Sequence, residues 1–413
     1  MQNITQRDRD IVRSLAQMQL ETAASQKNQD ILKKWHNLGQ GKRETPTVRL
    51  LFSNFTNEVI APLMQCETKF GQQIEFRLRY ALGGQTIFED DTPVAPFYQI
   101  GWNTRVSPFN LAPKITHAEG VNAKGYRIDP VITDIEAELD KFGSGSFGAD
   151  KNATLNYIEA VKNVIGDIIP VKLVMGSLPG CITNPLVHLT GMETYYTSMY
   201  DCPDALHKLM DSATCLYENY YDFLEKEGLL LPTTEFSPVS QESFAFNHEL
   251  PGDKVTKTTE CWGFLESQET TAVSPETFGE FVFPYQDRLV KRFGLLSYGC
   301  CERVDAIFPG YLSKWNNLRK LSVSPFNNEP QVGEYLRGSN IVYYSKPRAE
   351  YVTNSGPLDE NGIIECFKGI AQASSGCLLE VAQREVGTIY GDCERGRRYV
   401  ELAKYAIDKY WKP

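Results

Sequence analysis

Short runs of apolar residues recur along the chain, and between them lie longer stretches in which apolar positions repeat with helical spacing. From residue 47 onward, eight of these runs are typical of β-strands bounded by polar or turn-forming residues. The predicted strands are 47–53, 97–102, 170–175, 262–266, 295–300, 321–325, 341–345 and 377–381. The last five begin 20 to 36 residues apart, which leaves room for a strand, a loop and a helix in each unit.

The segments between the later strands carry helix signals. Ser274, Pro275 and Glu276 supply an N-cap, a proline at the first helical position and an acidic first turn for a helix to residue 293. Further helices are predicted at 203–227, 329–337, 359–373 and 392–410. No GxGxxG or GxxxxGK[ST] sequence follows any predicted strand. The pattern therefore predicts an α/β fold of the (β/α)8 TIM-barrel type rather than a nucleotide-binding sheet.

The chain divides into an extension and the barrel. Residues 5–38 have apolar positions at helical spacing among charges and glutamines, so residues 1–46 are predicted to be an N-terminal helical extension. Residues 47–413 then form the barrel. Long gaps before the third and fourth strands predict insertions, including an inserted loop or hairpin near 229–260.

Charge and cysteine content narrow the functional classes. Lys and Arg total 42 and Asp and Glu total 52, so the net charge is −10 and disfavours a nucleic-acid or anionic-membrane partner. No apolar run is long enough to span a bilayer, and the charged N-terminus has no signal-peptide core. Ten cysteines in 413 residues are too few for a disulfide scaffold. We expect a cytoplasmic protein.

Reactive groups of such barrels come from the C-terminal ends of the strands. The fourth predicted strand ends in Glu266, Ser267, Gln268 and Glu269, and the fifth in Tyr298, Gly299, Cys300, Cys301 and Glu302. Strand alternation places Tyr298 and Cys300 on one face. Thiolates bind Zn²⁺ strongly and a carboxylate can complete the set, so Cys300, Cys301 and Glu302 are predicted metal ligands. The alternative is that both cysteines simply pack the barrel.

The run LLSYGCCERVD, preceded by WGFLESQETTAVSPETFGEFVFPYQDRLVKRFG and followed by LRKLSVSPFNNEP, resembles the uroporphyrinogen decarboxylase superfamily. Within that superfamily it is most similar to the corrinoid-linked methyltransferases. Ser274-Pro275, residues 298–301 and Ser324-Pro325 match a Ser-Pro helix start, a His-x-Cys-Gly strand end and a second Ser-Pro strand end. The resemblance covers about residues 165–410. It implies a (β/α)8 barrel that transfers a methyl group between a small methylated substrate and a corrinoid protein or cobalamin, with zinc as the metal.

Two departures from that family pattern affect the zinc hypothesis. Tyr298 stands where the zinc-dependent members have a histidine, and no cysteine lies at residues 383–385. Cys300 and Cys301 would need other partners, for which Glu302, Glu266, Glu269 and loop residue His248 are candidates. A single loop histidine is otherwise a solvated side chain.

Other candidates follow from their places on the strands. Lys346, after the seventh strand, is predicted to act as a general acid or to orient an anionic group, and it could equally be solvated. Arg384, after the eighth strand, could bind substrate or pair with Glu385. Glu266 and Glu269 are predicted to transfer protons. Trp102, Trp262, Gln268 and Tyr298 are predicted to line a pocket suited to an aromatic or methylammonium ligand.

The leading hypothesis is therefore a methyltransferase with a small-molecule methyl donor or acceptor and a small corrinoid protein as partner, in a chain that could form a homodimer. One alternative is a metal-free decarboxylase or lyase that acts on a small carboxylate through Lys346, Arg384 and Tyr298. Another is a binding barrel without catalysis. Porphyrin decarboxylation is disfavoured because the arginine-rich N-terminal segment of those enzymes is absent from the sequence around the first strand.

Overall fold

A computed structural model describes residues 3–117, 126–239 and 241–413, which form fourteen α-helices and fifteen β-strands. The helices are α1 (Gln6–Ala24), α2 (Gln26–Gly39), α3 (Thr56–Val59), α4 (Lys69–Thr86), α5 (Lys151–Ile165), α6 (Thr183–Asp201), α7 (Pro203–Lys226), α8 (Pro275–Phe281), α9 (Phe283–Val290), α10 (Val304–Ile307), α11 (Glu329–Leu336), α12 (Glu350–Thr353), α13 (Glu360–Ala373) and α14 (Cys393–Tyr410). The strands are β1 (Thr47–Leu50), β2 (Tyr98–Gly101), β3 (Thr104–Ser107), β4 (Lys114–His117), β5 (Tyr126–Asp129), β6 (Ser146–Ala149), β7 (Val171–Val174), β8 (Leu178–Pro179), β9 (Pro238–Val239), β10 (Ser243–Phe244), β11 (Trp262–Leu265), β12 (Leu295–Tyr298), β13 (Leu318–Val323), β14 (Val342–Ser345) and β15 (Leu378–Gln383).

A few residues of the predicted extension and of the predicted insertion are not among the described residues. Residues 1 and 2 of the predicted extension and residue 240 of the predicted insertion lie outside them. Helices α1 and α2 fall within the predicted extension, and the hairpin β9–β10 falls within the predicted insertion. The domain division at residues 46 and 47 stays a prediction. None of the helices in the described ranges combines the length and apolar character needed to cross a bilayer.

Seven parallel strands form one sheet, in the order β1, β15, β14, β13, β12, β11, β8. Each of the eight predicted strands overlaps an observed strand, and the α/β class is confirmed. Closure into an eight-stranded barrel is not shown, because β2 pairs with β7 in a separate sheet and no ladder joins β1 to β2 in the described residues. Since the seven strands run in one direction, their last residues share one edge, here called the carboxyl edge; their first residues share the amino edge.

The two faces of this sheet differ in polarity because side chains alternate along each strand. One face packs against the helices in the main apolar core, through residues such as Leu265, Tyr298, Leu321, Tyr343 and Leu379. The opposite face carries the polar residues Arg49, Ser297, Lys320, Ser322 and Glu380, all of them buried. The hairpin β9–β10 covers this polar face, with Phe244 O accepting from Lys320 Nζ at 2.8 Å.

The polar face is held by a buried group of charges. Glu380 accepts from Lys320 Nζ at 2.8 Å, and its other oxygen lies 3.3 Å from Arg49 Nη2. Ser243 Oγ of β10 donates to the Glu380 carboxylate at 2.8 Å. A buried carboxylate is retained only when such partners replace its hydration. The group therefore ties β1, β13 and β15 to the hairpin.

Helix α2 packs at the amino edge. Trp35 of this helix is fully buried, and its Nε1 donates to Asp91 O at 2.8 Å. A cavity of about 360 Å³ lies beside it, lined by Trp35, Phe246, His248 and Trp262 together with the first residues of β12 and β14. The N-terminal helices thus belong to the packed structure at this edge of the sheet, and α2 contributes a core residue rather than only a solvated surface.

Candidate functional site at the carboxyl edge

Four strands of the seven-stranded sheet deliver polar side chains to the carboxyl edge. β11 is followed by Glu266, β12 by residues 299–302, β14 by Lys346 and β15 by Arg384. The chain turns sharply after β12 at Gly299, whose φ of 101° lies in a region that side chains rarely adopt. A Cβ there would also meet Ser322 Cβ at 3.2 Å. Glycine at this position therefore allows Cys300 and Cys301 to leave the strand close to β13.

Cys300 and Cys301 form a thiol pair with Sγ atoms 3.7 Å apart. Their backbone is fixed by β13, because Ser322 Oγ donates to Cys300 O at 2.8 Å and Ser324 Oγ donates to Cys301 O at 3.0 Å. A hydrogen bond from Cys300 and the positive charge of Lys346 lower the pKa of Cys301 to about 7, against the opposing effect of burial. The same shared hydrogen bond, together with burial, raises the pKa of Cys300. One thiol of the pair, that of Cys301, can therefore ionise to the thiolate near neutral pH.

Three carboxyl groups lie beside the thiol pair and differ in their surroundings. Glu302 accepts from Ser267 N at 2.8 Å and from Cys300 N at 2.6 Å, and these amides oppose the rise in its pKa that burial causes. Glu266 accepts from only one backbone amide, Gln268 N at 3.0 Å. Burial, and then the charges of Glu269 and Glu302, raise the pKa of Glu266 well above its usual range. The surroundings of Glu266 thus favour its protonated form, and a protonated carboxyl group can act as an acid.

Glu269 is positioned by helix α6. Its two oxygens accept from Thr183 Oγ1 and from Asn184 Nδ2, both at 2.8 Å. Tyr196 Oη donates to the backbone carbonyl of Glu269 at 2.6 Å. These contacts hold the Glu269 carboxylate toward α6.

Tyr298 lies next to the site but is buried and does not face its solvent-accessible side. It is fully buried on the helix-packed face, its ring 5.4 Å from that of Trp315. Tyr298 Oη lies 2.9 Å from Ser267 Oγ. This corrects the expectation that Tyr298 and Cys300 point the same way, because the turn at Gly299 interrupts the strand alternation on which it depended.

Two predicted residues lie at the amino edge instead. Trp262 is the first residue of β11, and His248 contacts Gln40 after α2, with Nε2 3.1 Å from Gln40 Nε2. Both line the 360 Å³ cavity. The structure therefore does not bring them to Cys300, which corrects their expected roles in the same pocket and metal site. Trp102 follows β2, outside the seven-stranded sheet, and packs against the main core.

Cys181 belongs to the site and was missed in the sequence. It follows β8, the strand next to β11, and burial and then the charge of Glu266 raise its pKa well above that of an ordinary thiol. The position of Cys181 after an apolar strand is the sequence signal that could have identified it. Gln241, from the turn between β9 and β10, also reaches the site by accepting from Lys346 Nζ. No sequence pattern indicated this contact, which joins segments about a hundred residues apart.

The described residues do not complete a metal site. No group of three or more His, Cys, Asp or Glu side chains within them could hold a metal ion. The sulfurs of Cys300 and Cys301 are close enough to share one ion, but Glu302 directs both oxygens to backbone amides and His248 lies at the amino edge. A catalytic zinc normally takes three protein ligands. The residues present thus supply two and do not fit the predicted site as arranged.

No protein-family model matches this sequence, and no curated protein matches it. Among solved structures, the chain is similar to a methyltransferase from Methanosarcina mazei, with a TM-score of 0.51 and 12% sequence identity. The similarity covers 92% of this chain and 98% of that one. At this identity the likeness shows a shared fold over nearly the whole length of both chains.

Proposed function

We propose that this protein is a methyltransferase that moves a methyl group between a small methylated compound and a corrinoid protein or cobalamin. The fold shared with a methyltransferase supports this class of reaction. The observation that carries the proposal is the buried carboxyl group of Glu266, whose pKa is raised, at the carboxyl edge beside a thiol pair in which the pKa of Cys301 is lowered to about 7.

Methyl transfer places a specific demand on such an acid. The bond between the methyl carbon and its heteroatom breaks with the electron pair remaining on the heteroatom, while the acceptor forms a new bond to carbon with its own electron pair. An oxygen or nitrogen leaving group then needs a proton. Glu266 can donate that proton because burial and the neighbouring carboxyl groups raise its pKa, and it is left as a carboxylate after the transfer.

A zinc-dependent form of this reaction is part of the proposal, but none of the steps described above involves the ion. If bound, the ion would supply Lewis-acid activation of a substrate heteroatom. Metal analysis under reducing conditions tests it directly on the native protein and a Cys300→Ser/Cys301→Ser variant. Stoichiometric zinc in the native protein alone would support the metal version, and its absence from both would contradict it.

The function is tested with reduced cobalamin as acceptor. The protein is incubated with methanol, methylamines, methoxylated aromatic compounds or methyl thioethers, with and without added zinc, and methylcobalamin is followed by its absorbance. Glu266→Gln is expected to lower the rate at least about 100-fold, the usual contribution of a general acid. Glu276→Gln, on the exposed first turn of α8, is the matched control and should not change it.

Two results would contradict the proposal. The first is that no donor methylates cobalamin under any of these conditions. The second is release of carbon dioxide from a small carboxylate at a rate that metal chelation leaves unchanged, which would favour the lyase alternative. A small corrinoid-binding protein encoded beside this gene would support the methyltransferase and name its partner.

A further inference from the structure

Lys346 and Arg384 place two positive charges at the ends of the neighbouring strands β14 and β15. Lys346 is only 6% exposed, and its Nζ donates to two neutral acceptors, Gln241 Oε1 and Cys300 O, the latter at 3.2 Å. Arg384 Nη1 is buried and has no hydrogen-bond partner within the described residues. The carboxylate nearest to this guanidinium is that of Glu385, 3.8 Å from Nη2 and 62% exposed. Within the part of the chain that the structure describes, neither cation therefore has a buried carboxylate in direct contact.

The surroundings of Lys346 and Arg384 differ from those of the other buried charges of the same sheet. On the polar face, Lys320 lies 2.8 Å from Glu380, so that buried ammonium has a carboxylate in direct contact. At the carboxyl edge, the Lys346 ammonium donates to neutral acceptors in the described residues, and the Cys301 thiol and the Glu302 carboxyl group act on it from farther away. Burying two like charges without an anion is unfavourable, and an anionic ligand removes that cost. The described side chains thus supply no anionic acceptor in contact with Lys346 and Arg384.

We propose that Lys346 and Arg384 together bind the carboxylate of a small methylated carboxylic acid, which is the substrate of the methyltransferase. This inference rests on the proposed function and specifies its substrate class. The planar guanidinium of Arg384 presents two parallel donors to a carboxylate, and the Lys346 ammonium exchanges the neutral Gln241 amide for a charged acceptor.

The position of the pair also orients the substrate. Lys346 Nζ lies 3.2 Å from Cys300 O, so a bound carboxylate is beside the thiol pair on the β14–β15 side. Glu266 ends β11, on the other side of β12 and β13 in the sheet. A carboxylate held at β14 and β15 directs the remainder of the molecule across the edge toward the protonated carboxyl group.

The test compares two ligands that differ only in charge, methoxyacetate and 2-methoxyacetamide, by isothermal titration calorimetry at low chloride. The native protein is expected to bind the anion at least about tenfold more tightly than the amide, as for charge-assisted pairs in buried sites. Arg384→Gln and Lys346→Gln should abolish this preference while leaving amide binding intact, which also shows that each variant is folded. Arg348→Gln is the control, because Arg348 is half exposed and pairs with Glu350 at 3.5 Å.

Arg384→Lys, which keeps the charge but loses the planar fork, should restore part of the preference. Equal affinity for the anion and the amide in the native protein would overturn the inference, as would a preference that survives Arg384→Gln. Inorganic phosphate bound as tightly as methoxyacetate would overturn the carboxylate class.

These measurements separate the inference from the proposed function because they involve no turnover. An anion preference that depends on Arg384 and Lys346, in a protein that never methylates cobalamin, would support the binding site and contradict the methyltransferase. Methyl transfer from donors that carry no carboxylate, with no anion preference, would support the methyltransferase and overturn the site.

Discussion

Cys301 is predicted to react with an alkylating reagent at a lower pH than an ordinary cysteine does. The structural cause is the hydrogen bond from the Cys300 thiol, supported by the charge of Lys346, which together lower the pKa of Cys301 from 9.0 to about 7. Removing the donor with Cys300→Ala should therefore move the titration of Cys301 upward. It should leave the backbone contacts of residues 300 and 301 with Ser322 and Ser324 in place, because those contacts use main-chain carbonyls.

The size of the effect follows from two opposing contributions. At pH 7, a thiol of pKa 7 is about 50% ionised and one of pKa 9 about 1% ionised, a ratio of about 50. A thiolate of lower pKa is a weaker nucleophile, and a Brønsted slope of about 0.45 over two pKa units reduces its rate about eightfold. The native Cys301 should therefore react about sixfold faster at pH 7 than Cys301 in the Cys300→Ala variant if its pKa returns to 9.

The assay is alkylation by iodoacetamide as a function of pH, with the modified position assigned by peptide fragmentation. Cys393, whose pKa burial raises, is an internal reference in every sample. We expect the rate at Cys301 to increase around pH 7 in the native protein and well above pH 8 in the variant. A native inflection above pH 8.5 would refute the lowered pKa, and an inflection unchanged by Cys300→Ala would refute the hydrogen bond as its cause.

Two stability predictions concern buried carboxyl groups and are checked by urea unfolding. Glu380→Gln should lower the free energy of unfolding by about 3 kcal/mol, because it leaves the Lys320 ammonium buried without its anion, whereas Glu360→Gln, in an exposed pair with Arg398, should cost at most about 1 kcal/mol; equal losses would contradict this account. The pKa of Glu266 is raised above its usual 4.5 in the folded state, so its folded form binds more protons and native stability should fall as the pH rises above about 4.5. Glu266→Gln removes that titration, so its stability relative to the native protein should improve between pH 5 and pH 8, and a constant difference would contradict the buried, protonated state.

The strands were predictable from the sequence because apolar runs and turn residues are local signals. The sixth strand shows where this reasoning weakens. Its prediction began at residue 321, whereas the strand begins at Leu318 and includes Lys320. A lysine at a strand position normally indicates solvent, and here it is buried because Glu380 lies on the polar face across β14. A partner sixty residues away leaves no mark on the local pattern.

The candidate site was partly predictable for the same reason. The sequence identified the strand ends that carry Glu266, the thiol pair and Lys346, because their position depends only on where each strand stops. The orientation of Tyr298 was not predictable, since it depends on the positive φ of Gly299. The contact of Gln241 with Lys346 depends on a hairpin whose path across the sheet no local pattern specifies.

The two ends of the sheet use the same kinds of charged residue in different ways. Toward the amino edge, Glu380 is shared by Lys320 and Arg49, and the removal of Glu380 leaves both cations without their anion. At the carboxyl edge, no buried carboxylate of the described residues contacts Lys346 or Arg384, and burial and the neighbouring carboxyl groups oppose the ionisation of Glu266. Buried charges that contact an opposite charge stabilise a fold, whereas buried charges without such a contact are retained at the cost of stability. Substitutions in the first group should therefore change unfolding more than ligand binding, and substitutions of Lys346 or Arg384 should change ligand binding more than unfolding.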